Sequence, residues 1–191
     1  MTKNRLEAFS DGVLAIIVTI MVLEMKVPHS ADLEALKPLF PVFLSYILSF
    51  VFVLIYWNNH HHLMHTVKHI NGQILWSNGH LLFWLSLLPF VSGWMGENHF
   101  ASLPVLLYGI VSFMAGIAYY ILEMVLIKAH GKDSLLAQAV GKDKKGIMSC
   151  ILYLIAIGTA CFYPMVSCAL FVGVAIMWLI PDKRIEEILN P

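Results

Sequence analysis

Apolar residues in this chain come in long uninterrupted runs separated by short polar breaks. Each run reads as helix, because backbone groups in lipid must be satisfied within their own segment and about twenty helical residues cross the hydrocarbon. The first predicted helix covers about Asn4 to Lys26 and is ended by Pro28; the second covers about Leu39 to Asn59 and is entered through Pro38 and Pro41. The third spans about Ile74 to Trp94 and the fourth about Pro104 to Lys128, followed by the only long polar stretch, Ala129 to Gly146. The apolar run from Ile147 to Ile180 is too long for one crossing at about 1.5 Å per residue, so Tyr163 and Pro164 divide it into segments 147–163 and 164–181. One helix kinked at Pro164 is the alternative, and it leaves five spans. The expectation is an all-α protein: a six-helix integral membrane bundle forming a single transmembrane domain over residues 1–191.

Composition supports the bilayer. Of 191 residues 59% are hydrophobic and 13% charged, against about a quarter charged in a soluble domain. Net charge is zero and no basic cluster is interleaved with aromatics, which argues against a nucleic-acid partner. Lys3 and Arg5 ahead of Val13–Leu23 have the look of a signal peptide, but Glu7, Asp11 and Glu24 interrupt the segment and no small-x-small cleavage pattern follows. Cys150, Cys161 and Cys168 fall inside apolar runs without C-x-x-C spacing, and are expected as buried small hydrophobes. With six spans, Lys3, Arg5, Lys68, Lys128, Lys132, Lys142, Lys144, Lys145, Lys183 and Arg184 collect on one side, leaving only Lys26 and Lys37 on the other. Cytoplasmic loops carry the basic excess, so both termini are expected to face the cytoplasm from a cell membrane.

Chemistry concentrates at the start of the first helix, where Arg5, Phe9, Ser10 and Asp11 enter an otherwise apolar segment. An ionisable residue entering a membrane is a candidate for function. The packing reading is favoured here: Asp11, buried among helices, accepts hydrogen bonds and pins them, with Arg5 as partner or snorkelling charge. At about 100° per residue, Gly12, Ile16, Thr19, Ile20, Leu23 and Val27 share one stripe, while Ser10 and Asp11 point away from it. Taken alone, an aliphatic stripe signifies ordinary packing.

The pattern R-x-x-x-F-S-D at Arg5, Phe9, Ser10 and Asp11, continuing through DGVLAIIVTIMVLEM, closely resembles the signature of the transmembrane protein 175 family of potassium channels. The stretch from Asn78 through Leu81, Leu82, Phe83 and Leu87 to Leu88, Pro89 and Phe90 is similar to that family's third helix, and Trp57 with His60 and His61 to the end of its second. The resemblance implies a single six-helix repeat that assembles as a homotetramer in membrane lipid around a central pore lined by the first helix. It further implies a constriction at Ile16, with Thr19, Ile20 and Leu23 next along the pore, and potassium as the permeant ion rather than any cofactor. No T-V-G-Y-G filter occurs in the sequence, so selectivity would come from partial dehydration at an apolar ring, with Thr19 hydroxyls returning some coordination.

The rival signal is histidine. His60, His61, His62, His65 and His69 cluster between the second and third helices, and spacings of three and four would set His62, His65 and His69 on one helical face, where zinc is held. A metal-ion or proton-coupled transporter is therefore the alternative, though no carboxylate lies in the spans near the cluster. A polar helix end with hydrogen-bonded histidines is the favoured reading. Glu123, deep in the fourth helix, is balanced between pairing with a neighbouring helix and a functional role. No nucleophile stands beside a base, so an enzyme is not expected.

Overall fold

A computed structural model describes residues 2–131, 134, 137 and 144–179, with the side chain of Lys144 excepted. Lys132, Lys142, Lys183, Arg184 and the end of the last predicted span lie outside the described residues. The described chain is helical: α1 (Lys3–Leu23), a 3-10 segment (Leu33–Leu39), α2 (Phe40–His65), α3 (Gly72–Ser86), α4 (Leu88–Glu97), α5 (Ser102–His130), α6 (Lys144–Ala160) and α7 (Pro164–Leu179). Four segments, Lys3–Leu23, Leu33–His65, Gly72–Glu97 and Ser102–His130, are long and apolar enough to cross a membrane, and α6 and α7 are shorter apolar helices. The protein is a multi-pass membrane protein.

Local chemistry explains the breaks. The third long segment divides into α3 and α4 because Pro89 has no N–H to give the preceding turn. Asn71 caps α3 by accepting from the Ile74 N–H at 2.9 Å. Between α4 and α5 the chain reverses through His99 and Phe100, both at positive φ. Between α6 and α7 it reverses through Cys161–Tyr163. The hairpin is closed by hydroxyls: Thr159 and Ser167 sit 2.9 Å apart, and Trp178 Nε1 donates to Ser149 Oγ at 2.7 Å. Its turn corrects one expectation, since Cys161 is exposed there rather than buried, while Cys150 and Cys168 are half-buried.

Packing divides the bundle into two sides. α1 packs against α2, α3 and α4, whereas α6 and α7 pack against each other and against α5 and α2. The core between them holds Tyr108, whose hydroxyl lies 3.1 Å from that of Ser49 and whose ring sits 5.2 Å from that of Phe171. α2 and α4 approach so closely that a Cβ on Gly96 would lie 2.5 Å from the Val42 Cα, so only glycine fits.

Candidate pore-lining helix

Every third or fourth residue of α1, namely Leu6, Ser10, Leu14, Ile17 and Met21, is buried against its neighbours. The register is fixed by one polar contact line across three helices. Asn78 Nδ2 of α3 donates to Ser10 Oγ at 3.0 Å, and Ser10 in turn donates to the Leu6 carbonyl at 2.9 Å. With its amide nitrogen so used, Asn78 presents Oδ1 to His60 Nε2 of α2 at 2.8 Å, which requires that nitrogen to carry the proton. All three residues are buried, so loss of any one would leave its neighbour's polar atom without the bond that offsets its lost hydration.

Asp11, one position on, turns to the helix flank. It is exposed in this chain rather than buried among helices, and it accepts from Trp57 Nε1 of α2 at 3.1 Å. The physical reason is the helical step: a rotation of about 100° from Ser10 takes the next side chain off the buried face. Arg5 is exposed and, among the described residues, forms no ion pair with Asp11. Phe9 is exposed as well.

Gly12, Ile16, Thr19, Ile20 and Leu23 all lie on uncovered surface, with Ile16 at 58% and Leu23 at 77% exposure against 4% for Leu14. Thr19 Oγ1 donates to the Ile16 carbonyl at 2.9 Å, which occupies its proton and leaves its oxygen lone pairs free to face outward. Beside the stripe runs a half-open groove of about 520 Å³ between α1 and α4, floored by Ile16, Ile17, Ile20, Pro89 and Phe90. Glu24 closes one end, its Cγ 3.2 Å from where a Cβ on Gly93 would be. Just beyond α1, Lys26 donates to Glu97 at 2.8 Å, a hydrogen bond that raises the Lys26 ammonium above its ordinary pKa.

His61 packs against His62 and His65, with ring centres 5.7 and 4.8 Å away, but His69 does not join them on one helical face as the transporter alternative needs. α2 ends at His65, and His69 lies in the connector, where its ring stacks 4.4 Å from that of His130. His130 Nε2 accepts from the Lys68 N–H at 3.0 Å while Nδ1 faces the Leu126 carbonyl, so this ring ties α5 to the connector. Among the described residues no three His, Cys, Asp or Glu side chains are placed to hold a metal. Glu123 is buried in α5, on the side of the bundle away from α1.

Sequence reasoning singled out Asp11 but overlooked Ser10 and Asn78 as a bonded pair. The available signal was a serine and an asparagine inside apolar helices, since small polar residues at membrane depth mark helix contacts.

Comparison with known proteins bears on the same region. Residues 5–89 match the family model described as endosomal/lysosomal potassium channel TMEM175. A potassium channel of Chryseobacterium sp. (strain P1-3) is 56% identical over 190 residues, covering 100% of this chain and 99% of the relative. The crystal structure of a lysosomal potassium-selective channel TMEM175 homolog from Chamaesiphon minutus superposes with a TM-score of 0.79 at 28% identity, over 93% of this chain and 96% of that one. The human endosomal/lysosomal proton channel TMEM175 is 38% identical over 80 residues, which is 36% of this chain and 16% of that protein.

Proposed function

The chain belongs to the TMEM175 family of ion channels, and from that premise we propose that it is a potassium-selective channel whose pore forms between copies of itself and is lined by α1. It is not an enzyme and uses no cofactor; potassium is its permeant ion. The observation that carries the pore assignment is the pairing of opposite faces on one helix. One face of α1 is locked to α2 and α3 by the Ser10, Asn78 and His60 line, and the other, with Ile16, Thr19, Ile20 and Leu23, is exposed among the described residues, bordered on one side by the groove to α4.

Four copies, with α1 innermost, would set four Ile16 side chains around the axis as the narrowest ring. An aliphatic ring offers no ligands, so an ion sheds part of its water there, and potassium does so more readily than sodium because its larger radius binds water less strongly. One turn along, Thr19 oxygens, their protons already donated to the backbone, return partial coordination. Selectivity then rests on the dehydration difference rather than on a carbonyl cage. The groove between α1 and α4 is the natural seat for a neighbouring subunit, whose apolar side chains would pack into it.

With α3 and α4 counted as one broken span the chain would cross the cell membrane six times, and the basic excess, all but Lys26 and Lys37, would lie with both termini on the cytoplasmic side. Purified protein in a planar bilayer under a potassium-against-sodium gradient is expected to reverse toward the potassium potential, in unitary steps. A reversal potential at zero under equal concentrations of the two ions overturns the selective-channel reading.

A further inference from the structure

The apolar stripe of α1 ends in a charge. Glu24 follows Leu23 directly, as the C-cap of the helix, and is exposed. At about 100° and 1.5 Å per residue it stands about 12 Å beyond Ile16 and about 40° around the helix from Ile20, on the margin of the face assigned to the pore. Its side chain is seated against α4: Cγ and Oε2 lie 3.2 and 3.3 Å from where a Cβ on Gly93 would be, a close approach that the bare glycine permits. The last carbonyls of α1 add the negative end of the helix dipole at the same place.

Charge at this end of the bundle is unbalanced. The two segments joined there beyond α1 and α4 carry Glu24, Asp32, Glu34 and Glu97 against Lys26 and Lys37. Both lysines are committed elsewhere: Lys26 donates to Glu97 at 2.8 Å, and Lys37 stands 2.7 Å from Glu34. Glu97 is the main cause of the raised Lys26 pKa, and Glu24 adds only a lesser pull. Among the described residues the Glu24 carboxylate makes no ion pair or hydrogen bond of its own. The result is a net negative charge on the helix that the pore reading sets innermost, at the end away from both termini.

Resting on that reading, we propose that Glu24 of each copy contributes to an anionic ring at the outer mouth, which concentrates cations ahead of the Ile16 constriction and raises the rate at which potassium enters. The ring acts through charge alone, so it feeds potassium and sodium alike and leaves the choice between them to dehydration at Ile16. Its reach follows the Debye length, about 30 Å at 0.01 M salt and about 3 Å at 1 M. The effect is therefore large in dilute solution and absent in concentrated salt.

The test is unitary potassium conductance of the full-length protein in planar bilayers, in symmetric KCl at about 0.02 M and about 1 M, at about pH 8 where exposed histidines are ordinarily uncharged. Glu24→Gln keeps the shape of the side chain and removes its charge. It is expected to lower conductance about threefold or more in dilute salt and to leave it unchanged at high salt. Glu24→Asp, which keeps the charge, is expected to stay near wild type, and Lys26→Gln, which removes the nearest cation, to raise the dilute-salt conductance. The potassium-over-sodium permeability ratio is expected to be the same in all of them. A selective Glu24→Gln channel with wild-type conductance in dilute salt, or with an equal loss at both salt concentrations, overturns the ring and leaves the pore reading standing. A shifted permeability ratio in Glu24→Gln also overturns it, by placing Glu24 in the filter. Absence of potassium-selective unitary current from wild type defeats the pore reading itself, and the ring with it.

Discussion

On α1, Leu6, Ser10, Leu14, Ile17 and Met21 are buried against three neighbouring helices, whereas Gly12, Ile16, Thr19, Ile20 and Leu23 face away from the chain. Both faces are chiefly aliphatic, and hydropathy does not distinguish them. In lipid, burying one aliphatic face rather than another gains little from the solvent, since hydrocarbon tails are as apolar as leucine. What selects the buried face is the serine that Asn78 can reach, together with close packing around it. In a bilayer, then, a hydroxyl with a polar partner on another helix marks the protein interior where a stripe of isoleucines does not; the Thr19 hydroxyl, bonded within its own helix, lies on the exposed face.

The strongest way to break this contrast is to remove the polar line. Asn78→Leu strands Ser10 and His60 in the interior, and is expected to lower stability by about 2–4 kcal/mol, read as a depressed melting temperature in detergent and a loss of assembled protein. Wild-type melting would show that apolar packing alone orients α1.

A paired truncation sharpens the comparison next. Leu14→Ala on the buried face is expected to cost about 2–3 kcal/mol, and Leu23→Ala on the exposed face about 0.5 kcal/mol or less, both by thermal unfolding. Equal costs would erase the difference between the faces, unless Leu23 is itself buried between subunits, which a concentration-dependent melting point would reveal.

Conduction distinguishes the faces in the opposite sense. Ile16→Asn is expected to leave melting nearly unchanged while reducing the potassium-over-sodium permeability ratio by about tenfold, which corresponds to about 1.4 kcal/mol of barrier difference, with current maintained or raised. Thr19→Ala removes the hydroxyl and keeps the ring, so a smaller loss of ratio is expected under the same bi-ionic gradient. If neither variant moves the reversal potential, the exposed face of α1 is a packing surface and not the filter.

The flank between the faces bears on stability alone. Asp11→Ala removes the Trp57 hydrogen bond at an exposed site, for an expected cost of about 0.5–1.5 kcal/mol in the assembled protein and no change in permeability ratio. A well-expressed, fully assembled variant with altered selectivity would transfer Asp11 from architecture to permeation.

Much of this was present in the chain's one-dimensional pattern. Apolar runs of spanning length dictate helices because lipid leaves the backbone no other partner, and Pro28, Pro38, Pro41 and Pro164 punctuate them because proline cannot continue the hydrogen-bond ladder. The stripe from Gly12 to Leu23 follows from helical geometry alone, as does the separation of Ser10 and Asp11 from it. The tertiary structure decided which face of α1 is covered, that Asp11 meets Trp57 at the surface while Ser10 is interior, that His69 leaves the line of His62 and His65 to stack on His130, and that Cys161 is at an exposed turn. These outcomes depend on partners distant in sequence, 46 residues for Asp11 and Trp57 and 68 for Ser10 and Asn78. Periodicity records only how a helix turns about its own axis; which neighbour stands on each side is set by packing and hydrogen-bond satisfaction across the whole bundle.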